Sequence, residues 1–191
     1  GRTGQMFAVE HWDIVPDLMT VAKGITSSYL PFAVSIATNR VAEVFAGEKN
    51  VFRQALTFGG HPVCASAALT NIGIIESEGL VENSAKMGAY FVDKLKVLQD
   101  THSIIGDVRG LGLLLGVEIV KNRETKESFP DSSGIAEILN KSFRAQGLIL
   151  FASNKGISIG PPLCIQKNEV DYICEAIDKS LTTAEAELGL A

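Results

Sequence analysis

Ile14 to Thr38 read IVPDLMTVAKGITSSYLPFAVSIAT, and the fold turns on this stretch. Leu18-Met19-Thr20-Val21-Ala22 is a short apolar run that reads as a buried strand. It ends in Ala22-Lys23-Gly24, then a small-residue loop, Ile25 to Ser28, and a second apolar run, Phe32 to Ala37. Lysine is rarely fully buried without a reason. One reason is chemical: a desolvated lysine becomes an amine nucleophile that forms a Schiff base with a carbonyl. The other reading is a lysine whose amine snorkels from the strand end to water. Spacing alone leaves both open.

Upstream, Gly1-Arg2-Thr3-Gly4 reads as a flexible loop. A short helical turn follows through Met6, Phe7 and Val9 to His11, with Trp12 as a packing residue. Downstream, Asn39 is placed to cap a helix through Arg40, Val41, Val44 and Phe45, which Gly47 ends. Leu56-Thr57-Phe58-Gly59-Gly60-His61-Pro62 then makes a permissive turn with proline at the first helical position. A helix of small and apolar residues runs from Val63 to Glu78. A glycine-rich turn feeding a helix offers free N–H groups and a positive dipole end, which suits a phosphate. By itself it is equally a plain turn, and His61 reads as a cap rather than a catalytic group.

Gly79 breaks the pattern. A second helix is expected from about Leu80 to Gln99, with Met87, Phe91, Leu95 and Leu98 on one face, as a connector to a second domain. From Ser103 the character changes. Ile104 to Gly110 and Leu111 to Val120 read as two strands joined by a glycine turn; the glycines fail a dinucleotide fingerprint, because strand residues follow them. Lys121 to Ser133 is a polar hairpin or loop. Ile135 to Gln146 is a helix that Gly147 ends. Leu148 to Phe151 and Ile157 to Ile159 are short strands around Asn154-Lys155-Gly156. Asn168-Glu169-Val170-Asp171 opens the last helix, with Val170, Ile173, Ile177 and Leu181 as its buried stripe. This second half is a small α+β unit with helices on one face of an antiparallel sheet.

Of the 191 residues, 46% are hydrophobic and 20% charged, a globular composition. The net charge of −5 argues against a nucleic-acid partner held through phosphates. Cys64, Cys164 and Cys174 are far apart and odd in number, without metal spacing, so a reducing, cytoplasmic compartment fits best. The longest apolar segment, Val63 to Ile75, is too short to span a bilayer, and there is no signal-peptide pattern. The first residue is Gly1, so the chain reads as processed or truncated at its start.

Together these segments resemble the class III aminotransferases, which use pyridoxal 5'-phosphate. Pro16 to Ser27 resembles that family's cofactor-lysine segment. Thr57-Phe58-Gly59-Gly60-His61-Pro62 resembles its phosphate-contacting turn, and Gly106 to Leu113 its entry strand to the small domain. Pro161-Pro162-Leu163 is similar to the segment before its last helix, and Gly1 to Gly4 to the loop after its cofactor aspartate. The resemblance covers nearly the whole chain. It implies an α/β chain of the pyridoxal-phosphate transferase fold type I, like aspartate aminotransferase. Residues 1–79 would be the C-terminal part of the large domain, 80–102 a connecting helix and 103–191 the small α+β domain.

The resemblance further implies that Lys23 holds the cofactor as a Schiff base and shuttles the proton in transamination. Thr57 and the backbone at Leu56 would bind the cofactor phosphate in the site of a neighbouring subunit, so the active unit would be a homodimer with shared sites. The partners would be small-molecule amine or ω-amino acid donors and keto-acid acceptors. No metal, membrane or nucleic acid is implied. A racemase or aminomutase of the same fold is the alternative activity, and a non-catalytic dimerisation piece the alternative of another class.

Two departures bear on this. The family's N-terminal half is missing, with its cofactor aspartate, Gly-Ser phosphate loop and ring-stacking aromatic. The chain alone is therefore expected to be inactive and to bind the cofactor poorly. Many members also carry a carboxylate-binding arginine ten residues before the double proline, where this chain has Phe151. Lys155 is the only cation from there to Gly160. Arg109, between Val108 and Gly110, reads more as a structural hydrogen-bonder than as a substitute anchor.

Overall fold

The computed structural model describes residues 1–190. The chain forms two compact units. One is Val9–Gly79; the other joins Gly1–Ala8 to the chain from Leu80 onward. Among the described residues no helix is long and apolar enough to cross a membrane.

In the Val9–Gly79 unit, strands β1 (Leu18–Ala22) and β2 (Ala33–Ala37) pair antiparallel, with Met19 opposite Ile36 and Val21 opposite Val34. Between them Lys23–Thr26 forms a 3-10 turn. Helix α1 is only Asn39–Ala42 and continues as a 3-10 turn over Glu43–Phe45. Helix α2 spans Pro62–Ser77, with His61 at its N-cap position and proline in its first turn. Among the described residues only Thr26, Cys64 and Ala68 of this unit are buried.

Three expectations are corrected here. Leu18 to Ala22 is a strand but not a buried one: Leu18 is 66% exposed, because among the described residues β1 has only β2 beside it and a two-stranded ribbon leaves its faces open. Trp12 is 62% exposed on a 3-10 turn, Ala8–Trp12, and its ring stands edge to face with that of His11 rather than in a core. Thr38, not Asn39, occupies the cap of α1, and its side chain makes no capping bond.

The other unit has a core. Strands β3 (Ile105–Leu111), β4 (Leu114–Ile119), β5 (Phe151–Ser153) and β6 (Gly156–Ile159) form an antiparallel sheet in the order β3-β4-β6-β5. Alternation sends Leu115, Val117 and Ile119 of β4 inward. Helices α3 (Leu80–Thr101), α4 (Ile135–Ala145) and α5 (Lys167–Glu187) supply Phe91, Leu95, Leu139, Phe143, Ile177 and Leu181, all fully buried. The pair of short strands begins later than expected, since Leu148 to Leu150 lie outside β5. Helix α5 is capped from Gln166, whose backbone N–H donates to Glu169 at 2.8 Å. Its Asp171 accepts from the Tyr90 hydroxyl and lies 3.0 Å from the Lys94 amine. These partners hold the Asp171 carboxyl below the usual range.

Gly1 to Gly4, expected as a flexible loop, is strapped onto this core. The Arg2 carbonyl accepts from Leu113 N–H and Ser84 Oγ, both at 2.8 Å, and Arg2 Nη1 donates to the Pro161 carbonyl at 2.6 Å. Gly112, in the β3–β4 turn at φ +52°, fits because a Cβ there would strike the Arg2–Thr3 backbone. Its carbonyl in turn lies where a Cβ on Gly88 of α3 would stand.

Candidate active site

Lys23 follows β1 directly, in the left-handed backbone region at φ +54°. That conformation costs an L residue roughly 1 kcal/mol or more, so it persists only where neighbours hold it. Here several do. The Lys23 carbonyl accepts from Ser28 N–H at 3.1 Å and the Gly24 carbonyl from Ser27 N–H at 3.2 Å. Thr26, 2% exposed, donates from its hydroxyl to the Leu30 carbonyl at 2.8 Å. Asn71 of α2 reaches across to the carbonyls of Gly24 and Ile25. Lys23 itself is exposed, so among the described residues nothing supplies the desolvation of the nucleophile reading, and the side chain reaches water as in the other. Among the described residues its amine has no hydrogen bond or ion pair.

Leu56 and Thr57 lie on the turn that leads to α2. The Leu56 carbonyl accepts from Gly59 N–H at 2.9 Å, which closes the turn. Thr57 is exposed, and its hydroxyl and N–H are unpartnered among the described residues. His61 caps by position only, without a side-chain capping bond, and its Nδ1 is buried without a partner. No hydrogen bond joins Lys23 to Leu56 or Thr57 among the described residues.

In the other unit, Phe151 opens β5 and is 70% exposed. Arg109 pairs with Asp107 at 2.7 Å, with Glu118 further off at 3.8 Å, as expected of a structural hydrogen-bonder. Lys155 is exposed at the turn between β5 and β6.

The sequence model of the family Aminotransferase class-III matches residues 1–181. The chain belongs to the class III aminotransferases. It is 38% identical over 201 residues to the taurine–pyruvate aminotransferase of Bilophila wadsworthia, covering 100% of this chain and 44% of that protein. Among solved structures it resembles an (S)-enantioselective ω-transaminase from Thermomicrobium roseum, with a TM-score of 0.89 and 37% identity over 98% of this chain and 41% of that one. It also resembles a transaminase from the marine bacterium Virgibacillus, with a TM-score of 0.92 and 36% identity over 99% and 44% of the two chains. The fold is therefore α/β, of the pyridoxal-phosphate transferase type I. The chain spans under half the length of these relatives.

Class III aminotransferases depend on pyridoxal phosphate, and the residues present fit it chemically. Lys23 offers an accessible primary amine without a competing partner, the group an aldehyde cofactor requires. The Thr57 turn offers free donors, which a phosphate requires.

Asn71 was not visible as a site residue in the sequence. Its only signal was an amide in the apolar interior of α2, where asparagine is a poor helix former and implies a bond made elsewhere.

Proposed function

We propose that this chain carries the cofactor lysine of a transaminase that moves an amino group from an amine or ω-amino acid to a keto acid. The observation that supports it most is the accessible amine of Lys23, at the end of β1 in a turn held in one conformation. Pyridoxal phosphate, when bound, supplies the electron sink for the reaction. Lys23 Nζ would hold the cofactor covalently and, as the free amine, would take and return the substrate's proton. The Thr57 hydroxyl and the backbone at Leu56 would hold the phosphate in the site of a neighbouring subunit, in a homodimer with shared sites.

The taurine–pyruvate relatives suggest an ω-amino donor and a small keto-acid acceptor. Phe151 would present an apolar face where many relatives present an arginine. Residues 1–79, 80–102 and 103–191 would serve as large-domain part, connecting helix and small domain. The three free thiols suit the cytoplasm.

The test combines the 191-residue chain with the segment of the Bilophila wadsworthia relative that it does not cover, and follows alanine formation from taurine and pyruvate. The chain alone should form none, the combination should form alanine, and Lys23→Ala should abolish it. Alanine formed by the Lys23→Ala combination would remove Lys23 from the reaction. Alanine formed by the chain alone would show that it needs no further segment. Turnover without the keto acid would point instead to a racemase or mutase of the same fold.

A further inference from the structure

One side chain of α2 grips the turn that follows Lys23. Asn71 Nδ2 donates to the carbonyl oxygens of Gly24 at 2.9 Å and Ile25 at 3.1 Å, and Oδ1 accepts from Ser27 Oγ at 2.6 Å. Carbonyl oxygens only accept, so the amide has one orientation and both its N–H groups are spent on this turn. The turn needs such a grip. Lys23, Ser27 and Ser28 have φ of 54°, 48° and 62°, a region that L residues leave unless they are held. Asn71 fixes the peptide planes after Gly24 and Ile25, and Ser28 N–H, donating to the Lys23 carbonyl at 3.1 Å, fixes the plane between Lys23 and Gly24; together they set the direction in which the lysine side chain leaves the backbone.

We propose that Asn71 is a positioning residue for Lys23: it holds the turn so that the lysine amine leaves the end of β1 in a single direction. The proposal rests on the reading of Lys23 as the cofactor lysine. Asn71 does not touch the reacting amine and acts through the backbone of Gly24 and Ile25.

The wild-type chain, Asn71→Asp and Ser27→Ala, each combined with the segment of the Bilophila wadsworthia relative that the chain does not cover, are incubated with pyridoxal phosphate and reduced with borohydride. The amine and aldehyde condense with loss of water, and hydride converts the C=N bond to a stable secondary amine. Peptide mass spectrometry then compares the label on Lys23 with that on Lys49, an exposed loop lysine that serves as internal standard. Asn71→Asp keeps the size and the acceptor but lacks both donors, so the Lys23-to-Lys49 ratio should fall about tenfold. Ser27→Ala removes one bond and should lower it about threefold.

The ratio is read well below the melting transition, where a loss of stability alone leaves it unchanged. An unchanged ratio in folded Asn71→Asp would overturn the proposal. Should that variant fail to fold, an unchanged ratio in Ser27→Ala would do the same. A wild-type combination that labels Lys23 no more than Lys49 would instead count against the cofactor-lysine reading itself.

Discussion

Strands β1 and β4 are both apolar runs, yet Leu18 on β1 is 66% exposed while Leu115, Val117 and Ile119 on β4 are 4% exposed or less. The contrast extends to their units. The sheet of β3 to β6 is packed against three helices, and its core includes twelve of the largest fully buried side chains, from Phe91 to Leu181. The Val9–Gly79 unit buries Thr26, Cys64 and Ala68 among the described residues, and it carries Lys23, Leu56 and Thr57. Its local order comes from polar clamps: Asn71 on the turn, Thr26 on Leu30, Arg40 on Asp17 at 2.5 Å. One unit is held by area removed from water, the other by a few directed bonds. Directed bonds fix a conformation well and contribute little stability each. The proposed chemistry sits where conformation is specified and burial is slight.

The largest effect that would test this contrast is a truncation in the core. Phe91→Ala should cost about 3–5 kcal/mol, because it empties a sealed site between α3 and the sheet. Peptide-resolved hydrogen exchange should show the loss over β3, β4 and α5; equal loss in β1 and β2 would erase the distinction between the units.

Next comes the polar bolt inside that core. His102 is 3% exposed, with Nδ1 2.8 Å from Glu185 and Nε2 2.8 Å from Asp178, both carboxylates on α5. Arg123 closes the same end of α3 through the Gln99 and His102 carbonyls, each at 2.7 Å. His102→Ala should cost about 3 kcal/mol, since it leaves the Glu185 carboxylate buried without its main partner. Urea unfolding measures this, and a cost near zero would make the bolt decorative.

The cysteines sharpen the comparison further. Burial pushes the Cys174 thiol up from 9.0 to about 12, so it stays protonated at neutral pH. Cys164 is exposed, while Cys64 is buried in the unit with few buried residues. Timed thiol labelling near pH 8 should modify Cys164 first, Cys64 next, and Cys174 last by at least about tenfold. Because the folded pKa of Cys174 is raised, its contribution to stability is present below pH 9.0 and is lost as pH climbs toward about 12. Cys174→Ala should flatten that part of the pH–stability curve.

The smallest expected effect is a gain. Lys23→Gly removes the Cβ that opposes φ +54° and should stabilise the Val9–Gly79 unit by up to about 1 kcal/mol. Slower exchange at the Ser27 and Ser28 amides would register it; faster exchange would mean that the lysine side chain helps hold its own turn.

Much of this architecture is legible in the residues. Gly79 and Gly147 mark helix ends because both sit at positive φ, and the Met87, Phe91 and Leu95 stripe finds the face of α3 that is buried. Lys23 and the Thr57 turn stand as site residues on the family resemblance, not on any local pattern. Burial of β1 was not legible: a continuous apolar run predicts a strand covered on both faces, whereas the covering depends on layers the run does not encode. Trp12 misled for the same reason. The cap of α5 fell on Gln166 because the backbone there is extended, a fact of geometry rather than residue type. Asn71 was hidden because its bonds cross 44 to 47 positions of chain, beyond any local pattern.

The strap at Arg2 has a consequence for how the polypeptide comes off the ribosome. Arg2 leaves the ribosome well before its donor: its acceptor bond awaits Leu113, roughly 110 residues later. At about 5–20 residues per second, that is on the order of 5–20 s during which the strap has nowhere to go. The whole of Val9–Gly79 emerges meanwhile, as an insertion looped out of a unit not yet made. Its exposed apolar strands are then the part of the nascent chain most open to wrong partners, and a chaperone that shields them for those seconds would raise the yield of folded protein.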